Sequence, residues 1–270
     1  MAQSTWADMT DKNIDKLTRF GFRFARGGVH TARTMMFAEL DALLSYINDP
    51  GAAKSDYLRA IDQDNCLGKR SGKTRKLTYQ HLIDLYALDP AVLLFRALMS
   101  FWQRDRAARP LVALLCAYAR DPILRSNAPF ILQHQEDTRI TREAVEAFID
   151  KKEPGRFSKA TLKSTAQNIN STLTQSGHLA GRTRKFRTRA VPGPGSASYA
   201  LLLGYLSGTR GESLFQTEYI KLLDCSSDKA IELAEEAARK GWIVFKRIGD
   251  VMEVMFPQLI TDQEMEWLRE

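Results

Sequence analysis

Three cysteines, Cys66, Cys116 and Cys225, lie far apart in a chain of 270 residues, and none stands in a Cys-x-x-Cys spacing. That excludes a disulfide framework and a cysteine-rich zinc site, and fits a reduced, cytoplasmic setting. The four histidines, His30, His81, His134 and His178, share no metal-ligand spacing with each other or with a cysteine. No Gly-x-Ser-x-Gly elbow and no dinucleotide glycine pattern occurs. The opening MAQSTWADMT has no apolar signal-peptide stretch. The longest apolar runs, near Pro110 to Ala119 and Ala197 to Leu206, reach about half of the ~20 residues a membrane span needs. These absences argue against an enzyme, a metal site, a cofactor, a small-molecule substrate and a membrane partner.

What the chain does have is unevenly distributed charge. The net charge is +7, which favours an anionic partner. From Lys151 to Arg189 there are ten Lys/Arg and one acid, Glu153, whereas Tyr205 to Glu270 carries thirteen acids and eight bases. The middle of the chain and its end are therefore expected to meet different partners.

A short pattern also occurs twice. GKRSGKTRKLTYQHL, Gly68 to Leu82, aligns without gaps on GRFSKATLKSTAQNI, Gly155 to Ile169, so that Ser71 meets Ser158, Thr74 meets Thr161, Lys76 meets Lys163 and Gln80 meets Gln167. In both, a Ser or Thr can cap a helix that starts among basic residues, where backbone N–H groups already favour anions. The first copy contributes Lys69, Arg70, Ser71, Lys73, Thr74, Arg75 and Lys76 as candidate phosphate contacts. Its Gly72-Lys73-Thr74 ending invites a nucleotide phosphate-loop reading, but the glycine that motif needs is Leu67 here, and no buried strand precedes it.

The second copy contributes Ser158, Lys159, Thr161 and Lys163. On a wheel of 100° per residue, Leu162, Ala166, Ile169 and Leu173 share one face. The opposite face carries Ser164, Gln167, Asn168, Ser171 and Gln175. Such a face suits groove reading, because Asn and Gln pair with adenine edges, but taken alone it fits a plain solvated helix better. The basic ribbon GRTRKFRTR that follows favours nucleic acid: Arg182, Arg184, Lys185, Arg187 and Arg189 stand where a winged helix places its wing.

Apolar periodicity predicts a mainly α, multi-helical chain with helix-turn-helix and winged-helix-like units and small β wings. Helices are expected over 31–48, 58–66, from the first copy to about Leu88, 91–102, 111–120, 141–151 and 159–175, with 126–139 irregular and a β-ribbon over 178–191. Residues 1 to about 15 read as polar and frayed. Val191-Pro192-Gly193-Pro194-Gly195-Ser196 reads as the clearest linker. Three units are expected: a helical domain over 1–150 with the first helix-turn-helix-like unit, a winged-helix-like unit with a basic wing over 151–195, and a C-terminal winged-helix-like domain over 196–270. In the last, the third helix exposes Glu232, Glu235, Glu236 and Arg239, a face that repels phosphate, which points to protein contact; Lys246 and Arg247 of its wing remain able to touch a backbone.

Three stretches resemble the BrxA family of bacterial BREX anti-phage systems: the basic helix-opening GKRSGKTRK, the apolar LVALLCAYARDPILRSNAPFIL from Leu111 to Leu132, and the helical run from Thr141 to Leu173. The resemblance covers roughly residues 15 to 190. It implies a mainly helical, NusB-like, non-enzymatic component that binds double-stranded DNA and works beside a methyltransferase, an ATPase and a phosphatase-like subunit of a phage-resistance complex. Two alternatives stand beside it: an RNA-binding role, as the NusB-like relationship suggests, with Phe186 the main stacking candidate, and a protein–protein scaffold resting on the acidic C-terminal unit.

Overall fold

Helix starts and stops follow local chemistry throughout the computed structural model, which describes residues 10–49, 51–249 and 251–270. The first nine residues, most of the stretch expected to fray, lie outside the described residues, but helix α1 (Asp11–Phe20) is already formed by residue 11. Thr10 caps it, accepting the amide of Asn13, and Gly21 ends it at φ 108, in the left-handed region that glycine enters freely.

A single 3-10 turn at Val29–Thr31 comes before α2 (Phe37–Ile47). The helix expected from Thr31 begins only at Phe37, because Met36 takes a left-handed conformation (φ 54) and Met35 and Met36 turn into the core. Helices α3 (Lys54–Asp62), α4 (Gly72–Tyr86), α5 (Leu93–Arg104), α6 (Arg109–Arg120) and α7 (Pro122–Leu132) follow. Residues 126–132, expected to be irregular, are helical. Asp121 caps the start of α7 by accepting the amides of Ile123 and Leu124, and Ile123, Leu124, Ala128 and Ile131 are buried. Pro129 inside the helix costs one hydrogen bond, which that burial offsets.

Next come β1 (Arg139–Ile140), α8 (Arg142–Lys152), α9 (Lys159–Gln175), β2 (Leu179–Ala180) and β3 (Lys185–Arg187). β3 is central, pairing antiparallel with β1 on one side and β2 on the other. The order helix, strand, two helices, two strands is that of a winged helix, and it begins at α7 rather than near Lys151. A second winged-helix order follows: α10 (Pro194–Leu206), a 3-10 stretch at Gly211–Gln216, α11 (Glu218–Lys221), α12 (Ser227–Arg239), and the hairpin β4 (Val244–Ile248) with β5 (Val251–Met255). Helix α13 (Asp262–Arg269) closes the chain. The protein is mainly helical with two small antiparallel sheets.

The apparent linker is a helix entry. Pro194 stands in the first turn of α10, Ser196 exchanges hydrogen bonds with Gly193, and the amide of Gly195 donates to Asp105 at 2.9 Å. A Cβ on Gly195 would lie 2.8 Å from that of Asp105, so the close approach requires glycine. From Gly195 to Leu206 every residue of α10 is buried. An all-round apolar helix belongs at the centre of a core, and α10 packs against α5 and α6 as well as α12. The boundary at residues 195/196 thus falls within the first turn of the helix that both halves share. At the far end, α13 returns to α1, with Lys16 Nζ donating to the carbonyl of Leu268 at 2.8 Å and Arg96 holding both oxygens of Glu264.

Candidate nucleic-acid interface

The twice-occurring pattern is a helix entry. Ser71 caps α4 and Ser158 caps α9, each accepting the amide three residues on, Thr74 and Thr161, at 3.2 Å. The paired hydroxyls also bond to each other, Ser71 to Thr74 at 2.9 Å and Ser158 to Thr161 at 3.0 Å. Gly68 and Gly155, three residues before each cap, both hold a left-handed turn, at φ 60 and φ 72. Turn-forming and capping needs account for the shared Gly-x-x-Ser-x-x-Thr spacing. What precedes the first copy is helix α3, not the strand of a nucleotide phosphate loop.

The outward face of α9 is Lys159, Lys163 and Gln167, all exposed, and neither lysine is in an ion pair among the described residues. The Ser164/Asn168 part of the expected reading face requires correction. Ser164 Oγ donates to the carbonyl of Thr31, and Asn168 Nδ2 donates to that of His30, both at 3.0 Å. Further along, Gln175 accepts the amide of Phe37 at 3.3 Å. Segment 28–37 forms little regular structure of its own, and the polar side chains of α9 satisfy backbone groups that would otherwise lack partners.

The wing turns through Gly181, whose φ of 97 and close contact with the Arg184 carbonyl leave no space for a Cβ. The loop raises Arg182 and Arg184 into solvent, with no ion pair among the described residues, while half-buried Lys185 donates to the Gly181 carbonyl at 2.6 Å. On β3, Phe186 points outward, 39% exposed, flanked across the sheet by Arg139 and Ala180. Side chains alternate along a strand, so the next residue must point inward. Arg187 does so, and here the expected phosphate contact is corrected. Its side chain is 4% exposed and holds both Asp224 oxygens, at 2.7 and 2.8 Å. Arg189 is exposed and pairs with Glu136 at 3.3 Å.

The first copy is less free. Lys69 pairs with Glu39 at 3.1 Å, and Arg75 lies 3.9 Å from Asp62. Arg70, Lys73 and Lys76 are exposed, with no ion pair among the described residues. Both α4 and α9 pack against the 3-10 turn at Val29–Thr31. His81 of α4 lies near that turn, about 12 Å along the helix axis from Lys73. The two copies therefore flank a common segment, with the α4 cations set at the far end of their helix.

Two buried polar groups escaped the sequence reading. His30 Nδ1 donates to Asp121 at 2.8 Å, and its Nε2 lies 2.9 Å from Thr172 Oγ1, which also accepts the amide of Met35. The connectivity is that of an acid–histidine–hydroxyl triad. With Thr172 and His30 at 0% exposure and Asp121 at 1%, no substrate reaches it, and it serves as a clamp joining the 3-10 turn, the α6–α7 junction and α9. Burial alone would raise the Asp121 carboxyl, but the charge and hydrogen bond of His30, with the Leu124 and His30 amides, hold it below its ordinary range.

The second group joins the two winged units. Burial, reinforced by the Arg187 charge, pushes His178 down to about 4 despite the opposing pull of Asp224. The neutral ring donates from Nε2 to the Leu222 carbonyl at 3.0 Å, beside the Arg187–Asp224 pair. The residues forming these groups are separated by long stretches of chain, and no local spacing marks them; exposed Arg139, beside Phe186, was missed for the same reason.

The second winged unit presents a different surface. Helix α12 turns Asp228, Lys229 and Glu232 to solvent, with Glu235 and Glu236 half-exposed; Lys229 pairs with Glu232 at 2.8 Å and Lys240 with Glu236 at 2.6 Å. In its hairpin Lys246 lies 3.7 Å from Glu253, and Ile248 and Val251 stand exposed on either side of the turn. Among the described residues no group of His, Cys, Asp and Glu is placed to hold a metal ion, and no helix is long and apolar enough to cross a membrane. Compared with known proteins, the chain matches no family model and no curated protein at a significant level.

Proposed function

We propose that the chain binds duplex DNA through the first winged unit, as a non-enzymatic accessory component of a phage-defence complex of the BREX type. The observation that supports the binding role is a cationic surface built on one winged-helix frame. Lys159 and Lys163 lie on the outer face of α9, Arg182 and Arg184 at the wing tip, and Arg139 on the adjoining strand, all exposed and none neutralised by a carboxylate among the described residues. A helix of this kind beside a basic wing suits phosphates on either side of a groove. Base reading is limited to Gln167, since Ser164 and Asn168 are engaged within the fold. The place in a defence complex rests on the sequence resemblance alone.

Fluorescence anisotropy on labelled duplex, titrated with salt, tests the binding mode. Removing one phosphate-binding cation should reduce the salt slope by about 0.9, so a Lys163→Ala/Arg182→Ala/Arg184→Ala variant is expected to lower the slope by roughly two to three and to weaken binding on the order of tenfold or more. Unchanged affinity and slope would remove the proposal. Exposed Phe186 supports a second reading, because single strands are held by stacking bases on such rings. Competition with single-stranded RNA and DNA decides between them: preference for single strands, abolished in Phe186→Ala, favours the second.

A further inference from the structure

We propose that the cleft between segment 23–31, α4 and the α6–α7 junction is a phosphate-binding site. Its volume is about 210 Å³, below the roughly 300–1,000 Å³ of pockets that enclose drug-sized ligands, so it suits a small anion or one phosphate of a larger molecule.

Three arginines, Arg23, Arg26 and Arg120, line the cleft together with His81. Two carboxylates also line the cleft, and both are engaged. Asp84 pairs with Arg23 at 2.6 Å, and Asp121 accepts the amides of Ile123, Leu124 and His30 together with the His30 ring. Arg120 is only 8% exposed. Its N–H groups go to the carbonyls of Gly21, Ile83 and Asp84, and it has no carboxylate ion pair among the described residues. A buried cation hydrogen-bonded only to carbonyls, with its nearest carboxylate, Asp84, paired to Arg23, has room for a counter-ion of its own, and an anion in the cleft would supply one. Arg26 is exposed with no ion pair among the described residues, available to close over such an anion.

The backbone fits the same purpose. Gly27 and Gly28 both line the cleft; the space where a Gly28 Cβ would stand is taken by the Asp121 carboxylate, whereas nothing stands within 4 Å of that position at Gly27. The open side of Gly27 lets a ligand approach the main chain there closely. No wing residue lines this cleft, so the inference stands apart from the proposed duplex surface.

Titrating inorganic phosphate at constant ionic strength, followed by thermal shift and 31P line width, tests the site in the full chain. Wild type is expected to saturate, and Arg26→Ala to bind about tenfold or more weakly, as removal of a charge-assisted hydrogen bond predicts. Arg26→Lys should recover part of the affinity, and Arg182→Ala/Arg184→Ala should bind phosphate as wild type does. The source of the phosphate is read from duplex affinity of the same Arg26→Ala chain: a reduced salt slope assigns it to the DNA backbone, an unchanged one to a free anion. Absence of saturable binding, or wild-type phosphate affinity in both Arg26→Ala and Arg26→Glu, would overturn the proposal.

Discussion

The two winged units share an order of elements and differ in what they show to solvent. In the first, the helix before the wing exposes Lys159, Lys163 and Gln167, and the wing tip carries Arg182 and Arg184. In the second, the corresponding α12 exposes Asp228 and Glu232, and the hairpin turn is flanked by Ile248 and Val251. Helix caps and apolar faces build both alike, Ser158 and Ser226 doing the same work at the start of each helix. The frame is thus set by residues that face inward or cap, and the charge shown to solvent by the few that do not.

The sharpest test of that separation lies inside the wing, where Arg187 and its neighbours are basic residues with opposite duties. Arg187→Met should destabilise the protein by about 3–5 kcal/mol in urea unfolding, because Asp224 is left charged and largely buried. Adding Asp224→Leu should recover much of that stability. Arg182→Ala/Arg184→Ala should leave the unfolding midpoint unchanged and weaken duplex binding. The comparison breaks if Arg187→Met keeps its stability and loses DNA affinity instead.

Acid should act on the same junction. His178 is neutral in the fold, with its pKa moved from 6.5 to about 4. Between those values the unfolded chain binds more protons than the native one, so stability falls as pH drops from about 6.5 and the loss is complete near 4. A shift of that size corresponds to about 3 kcal/mol. Asp121, held below its usual range, adds a further loss at still lower pH, as its carboxyl is protonated. Urea midpoints at pH 7.5, 6 and 5 check the sign; a midpoint that rises on acidification would show that the fold takes up protons over this range, against a His178 kept neutral by burial.

Much of the fold was legible because helix entries advertise themselves. Ser71, Ser158 and Thr141 mark helix starts within a residue, and the α9 bounds match the expected ones. The misses have one physical origin: tertiary burial overriding local signals. Pro129 and the polar residues near it suggest a loop, yet Asp121 and four buried apolar side chains carry α7 through. The Pro-Gly run reads as a linker until Asp105, ninety residues away in sequence, is found bonded to Gly195. In the candidate interface the net charge was legible and its orientation was not. Nothing local distinguishes Arg187, turned inward onto Asp224, from Arg184, turned outward; the strand parity that decides it depends on where β3 begins.

The smallest expected effect probes the acidic helix. Neutralising Glu232 and Glu236 by substitution with Gln frees Lys229 and Lys240 and raises the net charge by two, the same in magnitude and opposite in sign to Lys159→Gln/Lys163→Gln on α9. If charge acted only through the total, the two variants would shift duplex affinity by equal and opposite amounts. If it acts locally, within a Debye length of about 8 Å at physiological salt, the α9 variant should weaken binding on the order of tenfold while the α12 variant changes it less than about threefold. Salt-titrated anisotropy on the two variants measures both arms. A large gain on neutralising α12 would place that helix against the same phosphates, and the two units would then differ in strength of contact rather than in kind of partner.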